Sequence, residues 1–275
     1  NSGERVVPQI NSVHPLNVTA GTQTLFTITG QGFGIERGDG CVAFSNADDG
    51  GQSFVNVHSE AHYVSWTDTQ IEMYVPSASL FNSTVAGTGL FRVINSSGLS
   101  ATGVQPLSVN YAKSEVIYSD NLNHTMLVDA QEGGYSFTVN QNMLALLGGP
   151  QLIANSIEKW ACNTGVNFKL GTGYTGSNAY ANDEVNILGL SAPGQLPSYL
   201  LGRTVTTFSS CGTADGLQWN MIDVDILLNT DINWWISESQ PMNNRFDLTT
   251  AVLHELGHAH LLQHNNNPSS PMYFQ

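Results

Sequence analysis

His254 and His258 stand four residues apart, and Glu255 adjoins the first of them, in the run His254-Glu255-Leu256-Gly257-His258. Four residues of α-helix advance about 400°, so the two imidazoles lie about 40° apart and roughly one turn along. Both can meet one metal ion, and Glu255 can address a water on that ion. Catalytic zinc usually takes three protein ligands and leaves a position for water, so the pair needs a third partner. No Asp or Glu follows His258. His260 is two residues on, about 200° round a helix, and points away; His264 is about 240° round and also points away while the helix lasts. His264 reaches the metal only if the helix ends near Leu261 and the chain turns back.

The spacing His254-Glu255-x-x-His258-x-x-x-x-x-His264, with Met272 eight residues further on and Thr250-Ala251-Val252-Leu253 ahead of it, resembles the metzincin zinc metallopeptidases, and within them a bacterial type of matrixin. The resemblance implies one catalytic Zn²⁺ held by His254, His258 and His264. It implies Glu255 as general base toward a peptide carbonyl, and Met272 as the methionine turn beneath the metal. It also has departures. Leu261 stands where the family has the glycine that ends the helix, at a cost of about 1–2 kcal/mol if its backbone is left-handed. Asn265 and Asn267 replace the usual Ser and Asp.

The elements that must position these groups are read over residues 113–275. A strand is predicted at Tyr135–Val139. A helix begins at Pro150, in the place proline favours, carries Ile153, Ile157, Trp160 and Ala161 on one face, and ends at Gly165. Strands follow at Val166–Leu170, Glu184–Leu190 and Met221–Asn229, and Asp247 is the predicted N-cap of the histidine-bearing helix. Alternation of strands and helix predicts an α/β (α+β) domain with a twisted, mostly parallel sheet, a backing helix and an active-site helix. In the resemblance, Leu201–Phe208 is the antiparallel edge strand of the substrate cleft, and Arg203, Thr204, Val205, Thr206 and Thr207 pair with extended substrate. Asp223 and Asp225 share one face of their strand; a calcium (Ca²⁺) pair, a solvated edge and loop anchors are all open readings. Trp234 and Trp235 read as core aromatics.

Residues 1–112 read as all-β. Phe26 and Ile28, Ile71 and Met73, Phe91 and Val93, and Leu107, Val109 and Tyr111 each alternate with polar neighbours, the period of half-buried strands. The phrases Pro8–Val13, Ala20-Gly21, Thr27–Gly34, Val75-Pro76-Ser77 and Leu107–Tyr111 resemble an IPT/TIG domain. That resemblance implies an immunoglobulin-like β-sandwich serving as a spacer or as a module that contacts a surface or substrate. His14, His58 and His62 read as surface or core residues. The chain is therefore predicted to be multidomain.

Eight Lys and Arg against 22 Asp and Glu give a net charge of −14, which disfavours nucleic acid and anionic membrane as partners. No apolar run is long enough to insert in a membrane. The composition is read as that of a secreted or extracellular, possibly cell-surface, protein. Cys41, Cys162 and Cys211 allow at most one internal disulfide, and Cys162–Cys211 is the expected pair because both fall in the second domain. Two function classes remain in view: a secreted zinc endopeptidase acting on protein, and an adhesion or binding module built on a catalytically impaired metzincin-like domain. Intact Glu255 favours the first; Leu261 motivates the second.

Overall fold

Period-two burial builds the N-terminal half. The computed structural model describes residues 6–78, 85–127, 134–213, 216–237, 241 and 244–274. In chain order come β1 (Gln9–His14), β2 (Asn17–Ala20), β3 (Leu25–Gln31), β4 (Cys41–Asn46), β5 (Phe54–Val57), β6 (Tyr63–Trp66), β7 (Gln70–Tyr74), β8 (Ala86–Ile94), β9 (Ser100–Thr102) and β10 (Ser108–Lys113). They form two four-stranded sheets, β1-β3-β7-β6 and β5-β4-β8-β9, while β2 runs parallel to β10. Phe26, Ile28, Ile71 and Met73 from the first sheet and Phe44, Phe91 and Val93 from the second share one buried core. Phe26 meets Phe91 edge-on at 5.3 Å between ring centroids, a favoured aromatic geometry.

Tyr111 departs from the alternation and is exposed. The pairing of β10 with β2 shifts register between Val109 and Ala112, so Ala112 takes the inward position in its place. His62 is fully buried, and its Nε2 lies 2.8 Å from Glu115 Oε1. Its acidic partner is remote in sequence, which is why local spacing gave no sign of it.

β11 (Glu115–Tyr118) and β12 (Asn121–Leu127) make an antiparallel hairpin, and Thr125–Leu127 of β12 continue into the second sheet. That sheet also holds β13 (Ser136–Asn140), β14 (Lys169–Thr175), β15 (Ile187–Leu190), β16 (Gly202–Thr213) and β17 (Gly216–Leu228). All pairs among β12, β17, β15, β13 and β14 are parallel, and β16 runs antiparallel along β17. β14 and β15 start later than the sequence predicts. Phe168 packs into the core before the ladder begins, and Glu184 takes a left-handed φ of 63° that holds it out of a strand. Between β13 and β14 lie α1 (Gln141–Ala145) and α2 (Gly149–Thr164). Helix α2 has Pro150 in its first turn and closes on left-handed Gly165, as the sequence indicates. The short parallel pair β18 (Trp234–Trp235) and β19 (Phe246–Asp247) leads into α3 (Leu248–Ala259). Trp234 packs on the core and donates its Nε1–H to Asn229 O. Trp235 is half-buried with the Arg245 guanidinium over its ring, so it is not the core aromatic expected.

The chain divides into two compact units, Asn1–His124 with Leu262–Gln275, and Thr125–Leu261. The sequence places the boundary after residue 112 and the terminal segment with the second domain. Residues 262–275 fall with the first unit, where β20 (Leu262–Gln263) pairs antiparallel with β10. Among the described residues, no helix is long and apolar enough to cross a membrane. The expected Cys162–Cys211 disulfide is not formed. Both thiols are free and exposed on separate elements, α2 and β16, and Cys41 is free and buried.

Candidate metal centre

Helix α3 starts where Asp247 caps it, its carboxylate accepting from the backbone N–H of Thr249 and Thr250. Leu248, Ala251, Val252, Leu256 and Ala259 recur at helical spacing and are buried in the second core. α2 braces this helix from behind, with Trp160 donating its Nε1–H to Leu253 O. His254 and His258 lie on the half-buried face. Their Nε2 atoms are 3.2 Å apart, and the rings meet at 83°. Two ligands on tetrahedral zinc at roughly 2.05 Å stand about 3.3 Å apart, so this pair is spaced for one ion.

The helix stops at Ala259. Leu261 has a φ of 66°, and its N–H still reaches His258 O at 2.9 Å. The backbone leaves the helix at this residue. His264, the third histidine of the motif, follows the helix on the terminal segment that belongs to the first unit. Three imidazoles with an adjacent carboxylate and no thiolate are a donor set that fits catalytic zinc. His260 takes no part. Its ring stacks on Trp160 at 4.6 Å and packs against Phe168. Its Nδ1–H donates to Leu256 O, and burial pushes its pKa down.

Leu261 explains its own departure from glycine. It is 1% exposed and belongs to the second core, so its packing offsets the left-handed backbone. Losing a buried leucine side chain typically costs about 2–5 kcal/mol, against about 1–2 kcal/mol of relieved backbone strain. Leu261→Gly is therefore expected to lower stability, by up to about 4 kcal/mol, measured by denaturant unfolding. A stabilised variant would contradict this account of the turn.

Glu255 is 6% exposed. Thr204 Oγ1 lies 2.6 Å from Glu255 Oε2 and donates to it. A Cβ on Gly202 would stand 2.7 Å from Oε1, so the bare glycine leaves room for the carboxylate. Sequence reading placed Thr204 only on the edge strand. Its partnership with Glu255, and the need for Gly202, come from β16 lying against α3. Arg203 is exposed with its guanidinium 5.8 Å from the centre of the Tyr180 ring. Tyr180 donates its hydroxyl to Arg203 O, and burial pushes its phenol up to about 12. Val205, Thr206 and Thr207 are half-buried. Among the described residues, β16 pairs only with β17 and so lies at an edge of the sheet.

After His264 the terminal segment forms a tight loop. Asn265 N–H donates to Met272 O, and Asn265 Oδ1 accepts from Asn267 N–H. Asn265 Nδ2 donates to Ser270 Oγ, which also accepts from Met272 N–H. The two asparagines therefore organise this loop, and Met272 is 3% exposed.

Asp223 and Asp225 are both 1% exposed, which removes the solvated-edge reading. Asp225 accepts from Ala181 N–H and Ile187 N–H and anchors the loop before β15. Among the described residues no three-ligand group forms around the two aspartates. Asp223 Oδ2 is buried without a hydrogen-bond partner, and burial, then Asp225 and Asp183, push its carboxyl up to about 6. A raised carboxyl holds its proton in the folded chain where the unfolded chain has lost it. The cost of ionising it is absent below about pH 4 and complete above about pH 6. Asp223→Asn is expected to stabilise by about 1–3 kcal/mol at pH 7.5 and by little at pH 4. Unfolding curves at the two pH values check this; equal effects at both would contradict it.

Comparison with curated proteins gives no match. Among solved structures, a structural genomics protein of unknown function from Bacteroides thetaiotaomicron is similar at 13% identity and a TM-score of 0.31. The match covers 40% of this chain and 23% of that one. A family model for the IPT/TIG domain matches residues 8–111. That match agrees with the two sheets and single core of this region, and residues 8–111 are an IPT/TIG domain.

Proposed function

We propose that the region following the IPT/TIG domain is a metzincin-like, matrixin-type zinc endopeptidase that hydrolyses peptide bonds of extended protein substrates outside the cell. The observation that carries the reading is the His254–His258 pair, its Nε2 atoms 3.2 Å apart with buried Glu255 beside the first ring, and His264 six residues further along the chain. When bound there, zinc supplies a water acidified to about pKa 7 and a Lewis acid for the peptide carbonyl. His254, His258 and His264 would hold the ion. Glu255 takes a proton from the attacking water and returns it to the leaving amine, a contribution of typically about 10²–10⁴-fold. Thr204 holds the carboxylate through Oε2, so Glu255 is oriented before substrate arrives. The open edge of β16 offers main-chain groups to an extended peptide, which gives affinity with little sequence selectivity. Met272 supports the site without binding the ion.

A binding module has no evident use for a buried carboxylate hydrogen-bonded beside a pair of imidazoles spaced for zinc. That observation favours the enzyme over the adhesion reading. The test is digestion of denatured casein by the zinc-loaded chain, with and without 1,10-phenanthroline. Cleavage that the chelator stops and added zinc restores is the expected result. Zinc bound in a one-to-one ratio with no cleavage would overturn the enzyme reading in favour of the binding module.

A further inference from the structure

The third histidine has a partner that no motif contains. His264 Nδ1 lies 2.8 Å from Asp48 Oδ1. A neutral imidazole carries one N–H and one acceptor nitrogen, and the partner of the first decides which nitrogen is left to a metal. With its Nδ1–H donated to a carboxylate, His264 presents Nε2. Carboxylates in this role fix the ring and raise its basicity, and losing one typically weakens metal binding by about 10–100-fold.

The Asp48 side chain is exposed, but its backbone is held in place. It sits on a one-turn 3-10 segment, Ala47–Asp49, directly after β4. Asn46 Oδ1 accepts from Asp48 N–H, and buried Ala47 donates its N–H to Val85 O. The segment bearing His264 is held to the same sandwich on either side of the histidine. Gln263 Nε2 donates to Ser114 Oγ, Asn266 Nδ2 donates to Thr88 O, and Phe274 lies over Gly50, where a Cβ would stand 2.5 Å from its ring.

We infer that Asp48, a residue of the IPT/TIG domain, is the positioning residue of the third metal ligand: it sets the tautomer and orientation of His264. The domain then holds the ring of a metal ligand, beyond the spacer or surface-contact role its family implies. This rests on the zinc reading above.

The test uses the full chain. Zinc dissociation constants are measured by competition with a fluorescent chelator for the wild type, Asp48→Ala and Asp48→Asn, and the unfolding midpoint of each metal-free protein is recorded. Asp48→Ala is expected to bind zinc about 10–100-fold more weakly at an unchanged midpoint. Asp48→Asn keeps an acceptor oxygen without the charge and is expected to fall between the two. Wild-type affinity in Asp48→Ala, or a loss of affinity matched by a fallen midpoint, would overturn the inference and leave the zinc reading standing. If the wild type takes up no zinc, the zinc reading itself fails, and this inference with it.

Discussion

Glu255→Ala is expected to abolish cleavage of denatured casein while leaving zinc bound. The carboxylate touches the chemistry through a proton, and Thr204, which donates to it, can turn its hydroxyl to Glu255 O at 3.1 Å when the side chain is gone. The fold therefore has little reason to fail. Positioned acid–base groups typically contribute about 10²–10⁴-fold, and here one group serves both the attacking and the leaving proton. The loss should fall at the upper end of that range, with the zinc content of the purified protein unchanged. A variant that still cleaves at a tenth of the wild-type rate would remove Glu255 from the mechanism. A variant that loses its zinc would show that the carboxylate acts on the ion's ligands and not on water.

The second large effect concerns the ion. His258→Ala leaves two of three proposed ligands. Structural zinc sites bind with roughly 10–16 kcal/mol of apparent free energy at neutral pH. If the ligands share that evenly, one is worth about 3–5 kcal/mol, or about 10²–10⁴-fold in the dissociation constant. His260→Ala is the informative contrast, because His260 packs on Trp160 and Phe168 with a buried Nε2 that has no hydrogen-bond partner. It should lower stability and leave zinc affinity within a few-fold of the wild type, since a zinc ligand and a core aromatic fail in different assays. Chelator competition and thermal unfolding on both variants check the pair; equal loss of zinc from both would contradict the assignment of roles.

What the sequence could and could not disclose follows from the range of each interaction. Asp247, Pro150 and Gly165 act on their own helix ends, so local spacing found them. The alternation at Phe26, Ile28, Ile71 and Met73 was legible because one sheet face is buried. The turn at Leu261 was reached by elimination: a third histidine on the continuing helix cannot face the first two. Contacts set by chain topology stayed hidden. Thr204 is 51 residues from Glu255, Glu115 is 53 from His62 and Asp48 is 216 from His264. No local pattern links such pairs. Tyr111 failed for a smaller reason, a register shift in β10 that period-two counting cannot see. The cysteine pairing failed because shared membership of a domain says nothing about where two side chains point.

The ligand set is the claim on which the rest depends, and X-ray absorption at the zinc edge reads it directly. The wild type loaded with one equivalent of zinc should show nitrogen and oxygen neighbours only, at about 2.0–2.1 Å, with the outer-shell signature of three imidazoles; His264→Ala should show two. Sulfur at about 2.3 Å, which exposed Cys162 and Cys211 could supply, or an imidazole signature unchanged in His264→Ala, would contradict the three-histidine centre.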